Sequence, residues 1–132
     1  MIRILLADDY TIIRKGVKQI LTQAYPNAQI DEIEDGEEWT EKLKDTHWDM
    51  IISDLPMPDR GGLDTLFRLR QNFPTLLVLI LTLYPKENYA VRALKAGAAG
   101  YLGKDAAPDE LILAVKQILS GKRYITIPWT EN

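Results

Sequence analysis

The chain has 132 residues, no cysteine and a formal net charge of −3, with 46% hydrophobic and 27% charged residues. These values fit one globular domain around a single core, and they exclude a disulfide framework, a thiolate metal site and a strongly basic grip on nucleic acid. The start "MIRILLADDY" lacks the long apolar stretch and cleavage site of a signal peptide, and the longest apolar run, "LLVLIL" (76–81), is far short of the roughly 20 residues of a membrane helix, so a cytoplasmic protein without membrane contact is expected.

In chain order, "IRILLA" (2–7) is a nearly continuous apolar run, as strands buried on both faces require. Ile12, Ile13, Val17, Ile20 and Leu21 then recur at helical spacing, with Arg14, Lys15 and Lys18 between them. "AQIDEIE" (28–34) predicts a second strand and "GEEWTEKLKD" (36–45) a second helix. "DMIIS" (49–53) and "GLDTLFRLRQNF" (62–73) repeat the strand-then-helix order, as do "LLVLILT" (76–82) and "KENYAVRALKAG" (86–97). "AGYL" (99–102) predicts the fifth strand, and Leu111, Ile112, Val115, Ile118 and Leu119 mark the last helix. Gly97 and Gly121 stand where helix C-caps belong, and Pro108 where a first helical turn begins.

Five strand–helix units in succession imply a parallel sheet covered by helices on both faces. No repeat, low-complexity stretch or interdomain linker interrupts them. One domain is therefore expected over residues 1–121, with "KRYITIPWTEN" (122–132) as a C-terminal tail or the start of a linker to an output domain.

In such a sheet the strand-to-helix turns share one edge, the usual ligand-binding side. The first strand runs into Asp8 and Asp9, the third into Asp54, the fourth into Thr82 and the fifth toward Lys104. Two carboxylates ~4 Å apart repel by ~1 kcal/mol in water and by ~4 kcal/mol at an effective dielectric of about 20. Three together call for cations: Lys104 supplies one charge, and an oxygen-only donor set favours Mg²⁺ as the other. A carboxylate can also attack phosphorus to form an aspartyl phosphate, a transfer that asks mainly for positioning and charge neutralisation. Asp54 would attack, Lys104 would screen the incoming oxygens, and Thr82 would donate a hydrogen bond.

The motifs "LLADDY" (5–10), "IISDLPMPDRGGLD" (51–64), "LILTLY" (79–84) and "AGAAGYLGKD" (96–105) resemble those of receiver domains of two-component response regulators, over essentially the whole chain. "DDYTIIRKGV" and "YAVRALKAGAAGYLGKD" resemble receivers that precede a LuxR/NarL-type helix-turn-helix. The resemblance implies an α/β fold, a doubly wound five-stranded parallel sheet of flavodoxin-like order 2-1-3-4-5 with helices on both faces. It implies Asp54 as phosphoacceptor, with Asp9 and Asp54 binding Mg²⁺ directly, Asp8 acting through bound water, and the Pro56 backbone carbonyl as a further ligand. Lys104 would pair with the phosphoryl group. Thr82 and Tyr101 would form the switch, the aromatic filling the space the hydroxyl vacates. Pro56, Leu83 and Gly103 depart from the commoner residues at their positions without removing a required group.

Each residue alone has a plainer reading. Asp8–Asp9 could cap a helix, Thr82 could be an ordinary strand residue, Lys104 could reach solvent, and Tyr101 could be a static core aromatic. His47, beside Trp48 in a predicted loop, is given no role. The expected function is a phosphorylation-operated switch whose partner is a sensor histidine kinase, controlling an output, with transcription through a DNA-binding domain outside this chain as the leading case. This domain itself is not expected to bind nucleic acid, and at most it catalyses its own phosphorylation and dephosphorylation. A homodimer formed on phosphorylation, through an unspecified helical face, is consistent with that reading. The signalling face would be built from the helix of residues 86–97, the fifth strand and the last helix, with Lys86, Arg92, Lys95 and Lys116 exposed on it. The alternatives are a stand-alone receiver acting by protein–protein contact, a receiver that signals without phosphorylation, and a Mg²⁺-dependent phosphohydrolase with an aspartyl nucleophile. The last lacks an acid two residues after Asp54, where Pro56 stands.

Overall fold

Continuous apolar strands need cover on both sides, and the computed structural model supplies it with helices above and below one sheet. It describes residues 1–7, 11–33, 42–44, 47–54, 62–82, 87–103 and 106–125. The elements are β1 (Arg3–Ala7), α1 (Thr11–Ala24), β2 (Gln29–Ile33), β3 (Met50–Asp54), α2 (Gly62–Asn72), β4 (Leu77–Thr82), α3 (Glu87–Lys95), β5 (Gly100–Gly103), α4 (Pro108–Leu119) and β6 (Tyr124–Ile125). Of the helix expected over residues 36–45, residues 42–44 are described and are helical; the rest lies outside the described residues.

The sheet order is β2-β1-β3-β4-β5-β6, and every pairing is parallel. The expected order 2-1-3-4-5 is therefore present, and β6, within the segment 122–132, adds a sixth strand beside β5.

Alternation along the strands divides the core in two. Leu5, Ala7, Ile51, Val78, Ile80 and Tyr101 face Leu66 and Leu69 of α2 and Ala93 of α3. Ile4, Leu6, Met50, Ile52, Leu79, Leu81 and Leu102 face Leu21 of α1 and Leu111, Ala114, Val115 and Ile118 of α4. Burying each such aliphatic side chain contributes about 1.5–3 kcal/mol. Trp48 joins the first cluster, its indole N–H donating to the Lys42 carbonyl at 3.1 Å while the Arg3 guanidinium lies 5.3 Å from the ring centroid.

α1 departs from its apolar periodicity. Ile12 is 87% exposed, whereas Arg14 is only 5% exposed. At 100° per residue Ile12 falls on the far side of the helix from Arg14 and Leu21. The helix is turned this way because Arg14 has an acid to meet on β2.

Two helices end in the same glycine turn. Gly97 (φ +111°) follows α3, with its N–H bonded to the Leu94 carbonyl and the Ala98 N–H to Ala93. Gly121 (φ +96°) follows α4, with its N–H bonded to Ile118 and the Lys122 N–H to Gln117. This paired pattern satisfies carbonyls the helix end leaves open. At Gly97 a Cβ would also stand 2.6 Å from Arg70 Cγ, and the Arg70 guanidinium donates to the carbonyls of Pro74 (2.6 Å) and Leu76 (2.7 Å). Gly97→Ala should therefore destabilise the fold by about 1–2 kcal/mol from the left-handed backbone alone, more if Arg70 is displaced. Urea unfolding with an unchanged m-value checks this, and an unchanged midpoint would refute it.

Candidate phosphoacceptor site

Parallel register decides what meets at the carboxyl edge of the sheet. Ala7, the last residue of β1, pairs with Ser53, so Asp8 and Asp54 each follow one member of that pair in sequence. Asp54 ends β3 and pairs with Leu81; Thr82 ends β4 and pairs with Gly103, the last residue of β5, which Lys104 follows. Adjacent strands lie about 4.8 Å apart. The backbone positions of Asp54 and Thr82 thus sit on neighbouring strands at the edge the sequence indicated. Their side chains lie outside the description, as do Asp8, Asp9, Pro56, Leu83, Lys86 and Lys104.

Tyr101 is described. It lies on β5 between Ile80 and Ile125, 1% exposed, in the core cluster shared with α2 and α3. Ser53, immediately before Asp54, is also buried. Arg92, Lys95 and Lys116 are exposed as expected, and His47 is exposed beside Asp49, with Nε2 3.3 Å from Oδ1.

An electrostatic anchor that the sequence reading did not single out holds the approach to this edge. Glu32 of β2 receives Arg14 Nε at 3.1 Å and Lys15 Nζ at 3.0 Å, with Lys18 Nζ at 3.6 Å. Burial pushes the Glu32 carboxyl up, but the hydrogen bonds from Lys15 and Arg14 and the charges of Lys15 and Lys18 outweigh it, leaving the group below the ordinary value of 4.5. Arg14 lies in the first turn of α1, so this contact ties the start of that helix to β2. The available signal was "EIE" on the second strand opposite "RKGVK" on the first helix.

Among the described residues, no group of three or more His, Cys, Asp or Glu could hold a metal ion. The donors at the edge are the test of fit. Asp54 closes β3 beside the strand that leads in sequence into Asp8 and Asp9, so the candidate donors are carboxylate oxygens, which suit a hard divalent cation.

The family described as "Response regulator receiver domain" matches residues 4–116. The chain belongs to that family. A two-component response regulator of the LuxR family from Aurantimonas sp. SI85-9A1 superposes with a TM-score of 0.82 at 33% identity, covering 92% of this chain and 87% of that one. Response regulator UvrY of Escherichia coli (strain K12) is 32% identical over 125 residues, and the transcriptional regulatory protein DegU of Brevibacillus brevis 37% identical over 131. This receiver spans 57% of the length of UvrY and 56% of DegU. Its relatives make it a LuxR/NarL-type receiver domain, and among the described residues no helix is long and apolar enough to cross a membrane.

The Glu32 anchor is testable through pH. Because the carboxyl is held low in the folded protein, its contribution is fully present above the unfolded value of 4.5 and is lost as pH falls through the folded one. Glu32→Gln should cost about 1–3 kcal/mol at pH 7, and the gap from wild type should shrink only on acidification below 4.5. Denaturation at a series of pH values measures both. A gap independent of pH would show that the charge carries none of it.

Proposed function

We propose that this receiver takes a phosphoryl group on Asp54 from the phosphohistidine of a sensor kinase and uses it to shift between two conformations. A carboxylate oxygen of Asp54 attacks phosphorus in line; the P–N bond of the donor breaks and the imidazole leaves with its electron pair. Bound by Asp9, Asp54, the Pro56 carbonyl and, through water, Asp8, Mg²⁺ would supply neutralisation of the phosphoryl oxygens. Lys104 pairs with one of those oxygens and Thr82 donates a hydrogen bond to another, while Tyr101 fills the space left by the hydroxyl.

The observation that carries this reading is the register. Asp54 and Thr82 close adjacent strands at the edge where β1 leads into Asp8 and β5 into Lys104. A shift from mostly inactive to mostly active needs a differential of a few kcal/mol, about what several charge-assisted hydrogen bonds to a phosphoryl group provide.

Residues 1–121 form the regulatory unit, and 122–132 lead from it toward an output domain that binds DNA. The setting is cytoplasmic, the output is transcription, and the phosphorylated form pairs with a second copy. The greater length of UvrY and DegU, and the LuxR family of the Aurantimonas regulator, support that arrangement. The protein acts as a phosphoacceptor rather than as an enzyme turning over a substrate.

With Mg²⁺ and acetyl phosphate, intact-mass measurement should show one added phosphoryl group in wild type and none in Asp54→Asn. An adduct persisting in the variant would move the acceptor elsewhere. Mg²⁺ at a hundredfold excess over its Kd should raise stability by about 2.7 kcal/mol, and Asp9→Ala should abolish the gain. Equal melting shifts in the two proteins would remove Asp9 from the ligand set.

A further inference from the structure

β6 is two residues long, yet three features deliver it to the outer edge of β5. The Gly121 turn sends the chain back from α4, with the Lys122 N–H on the Gln117 carbonyl. The Tyr124 N–H donates to the Ala99 carbonyl at 3.0 Å, and the Tyr124 hydroxyl donates to Glu110 Oε2 at 3.5 Å. Gly100, in register with Tyr124, has no room for a side chain: a Cβ would stand 2.7 Å from Ile118 Cδ1 and 2.9 Å from the Tyr124 carbonyl oxygen. The close approach at that edge requires glycine.

The same pairing ties this strand to the phosphoacceptor. One transverse row runs Ala7, Ser53, Ile80, Tyr101, Ile125, and Ser53 is the residue before Asp54. Residues paired across adjacent strands share a face, so residue 125 occupies the position beside Tyr101 on the side away from Ile80. Tyr101 is buried with Ile80 in the core between sheet and helices. The outer edge of β5, where residue 125 pairs, is the sheet edge nearest to that ring and a direct route from it to solvent.

We infer that β6 is a strap whose docking on β5 is coupled to phosphorylation of Asp54. An inward Tyr101 leaves the edge open to Tyr124–Ile125, and an outward Tyr101 displaces them. The inference rests on the reading of Asp54 as acceptor and Tyr101 as switch. Phosphorylation, which favours the inward ring, therefore tightens the strap, and by reciprocity a docked strap favours the inward ring. The segment after α4 then carries the state of the site along the sheet edge.

Hydrogen exchange on the 132-residue chain tests this, with Mg²⁺ and with or without acetyl phosphate, followed by mass spectrometry on a peptide containing the Tyr124 amide. Phosphorylated wild type should exchange there about fivefold more slowly or better. Tyr101→Leu, which keeps the position apolar, should take up the phosphoryl group and show no slowing. A complete Asp54 adduct in wild type with unchanged or faster exchange overturns the strap and leaves the acceptor intact. Equal slowing in Tyr101→Leu overturns the role of Tyr101. Absence of any adduct on Asp54 overturns the acceptor reading, and the strap with it.

Discussion

All strands of this sheet run the same way, and the rest of the architecture depends on that constraint. A parallel neighbour requires a crossover, each crossover starts at the carboxyl end of a strand, and those ends share one edge. Residues more than 40 positions apart, such as Ala7 and Ser53, become partners through it. The helices answer the same constraint, since strands apolar on both faces demand cover from α1 and α4 on one side and α2 and α3 on the other. The sequence puts Asp8, Asp9 and Asp54 at or just after strand ends on that edge, and three carboxylates so placed would call for a cation and an ammonium beside them.

The Glu32–Arg14 contact shows how that edge is steadied from behind. A buried guanidinium is costly unless it is paired and hydrogen-bonded. Glu32 meets this demand while two lysines add screening from the solvent side. Arg14 shares the buried face of α1 with Leu21, so the ion pair and the core contact agree on one rotation of the helix, with Val17 against the core and Ile12 in solvent.

The strands were legible because burial on both faces leaves a run of apolar residues that no surface element would carry, as in "IRILLA" and "LLVLILT". The helix ends were legible because only glycine enters the left-handed region cheaply, and Gly97 and Gly121 do so. Arg14 was not, since periodicity counts charge as exposed and cannot see a partner on another element. Trp48 was not, because beside His47 and Asp49 it reads as loop, and only the fold brings it into the same buried cluster as Leu43 and Leu66. β6 was not, because two residues form no pattern and the glycine that admits them sits more than 20 positions earlier. At the candidate site, the strand-end positions of Asp54 and Thr82 and the burial of Tyr101 follow from pattern and register. Periodicity places strand ends and does not encode the direction in which a side chain there points.

The glycine turn after α4 also bears on how such a module can be cut and rejoined. A graft or truncation with its joint between Gly121 and Tyr124 would strip the last ladder from the sheet and leave β5 with a bare flank of unpaired amides and carbonyls, a template for unwanted self-association. A chimera that begins foreign sequence only after Ile125 keeps that flank closed.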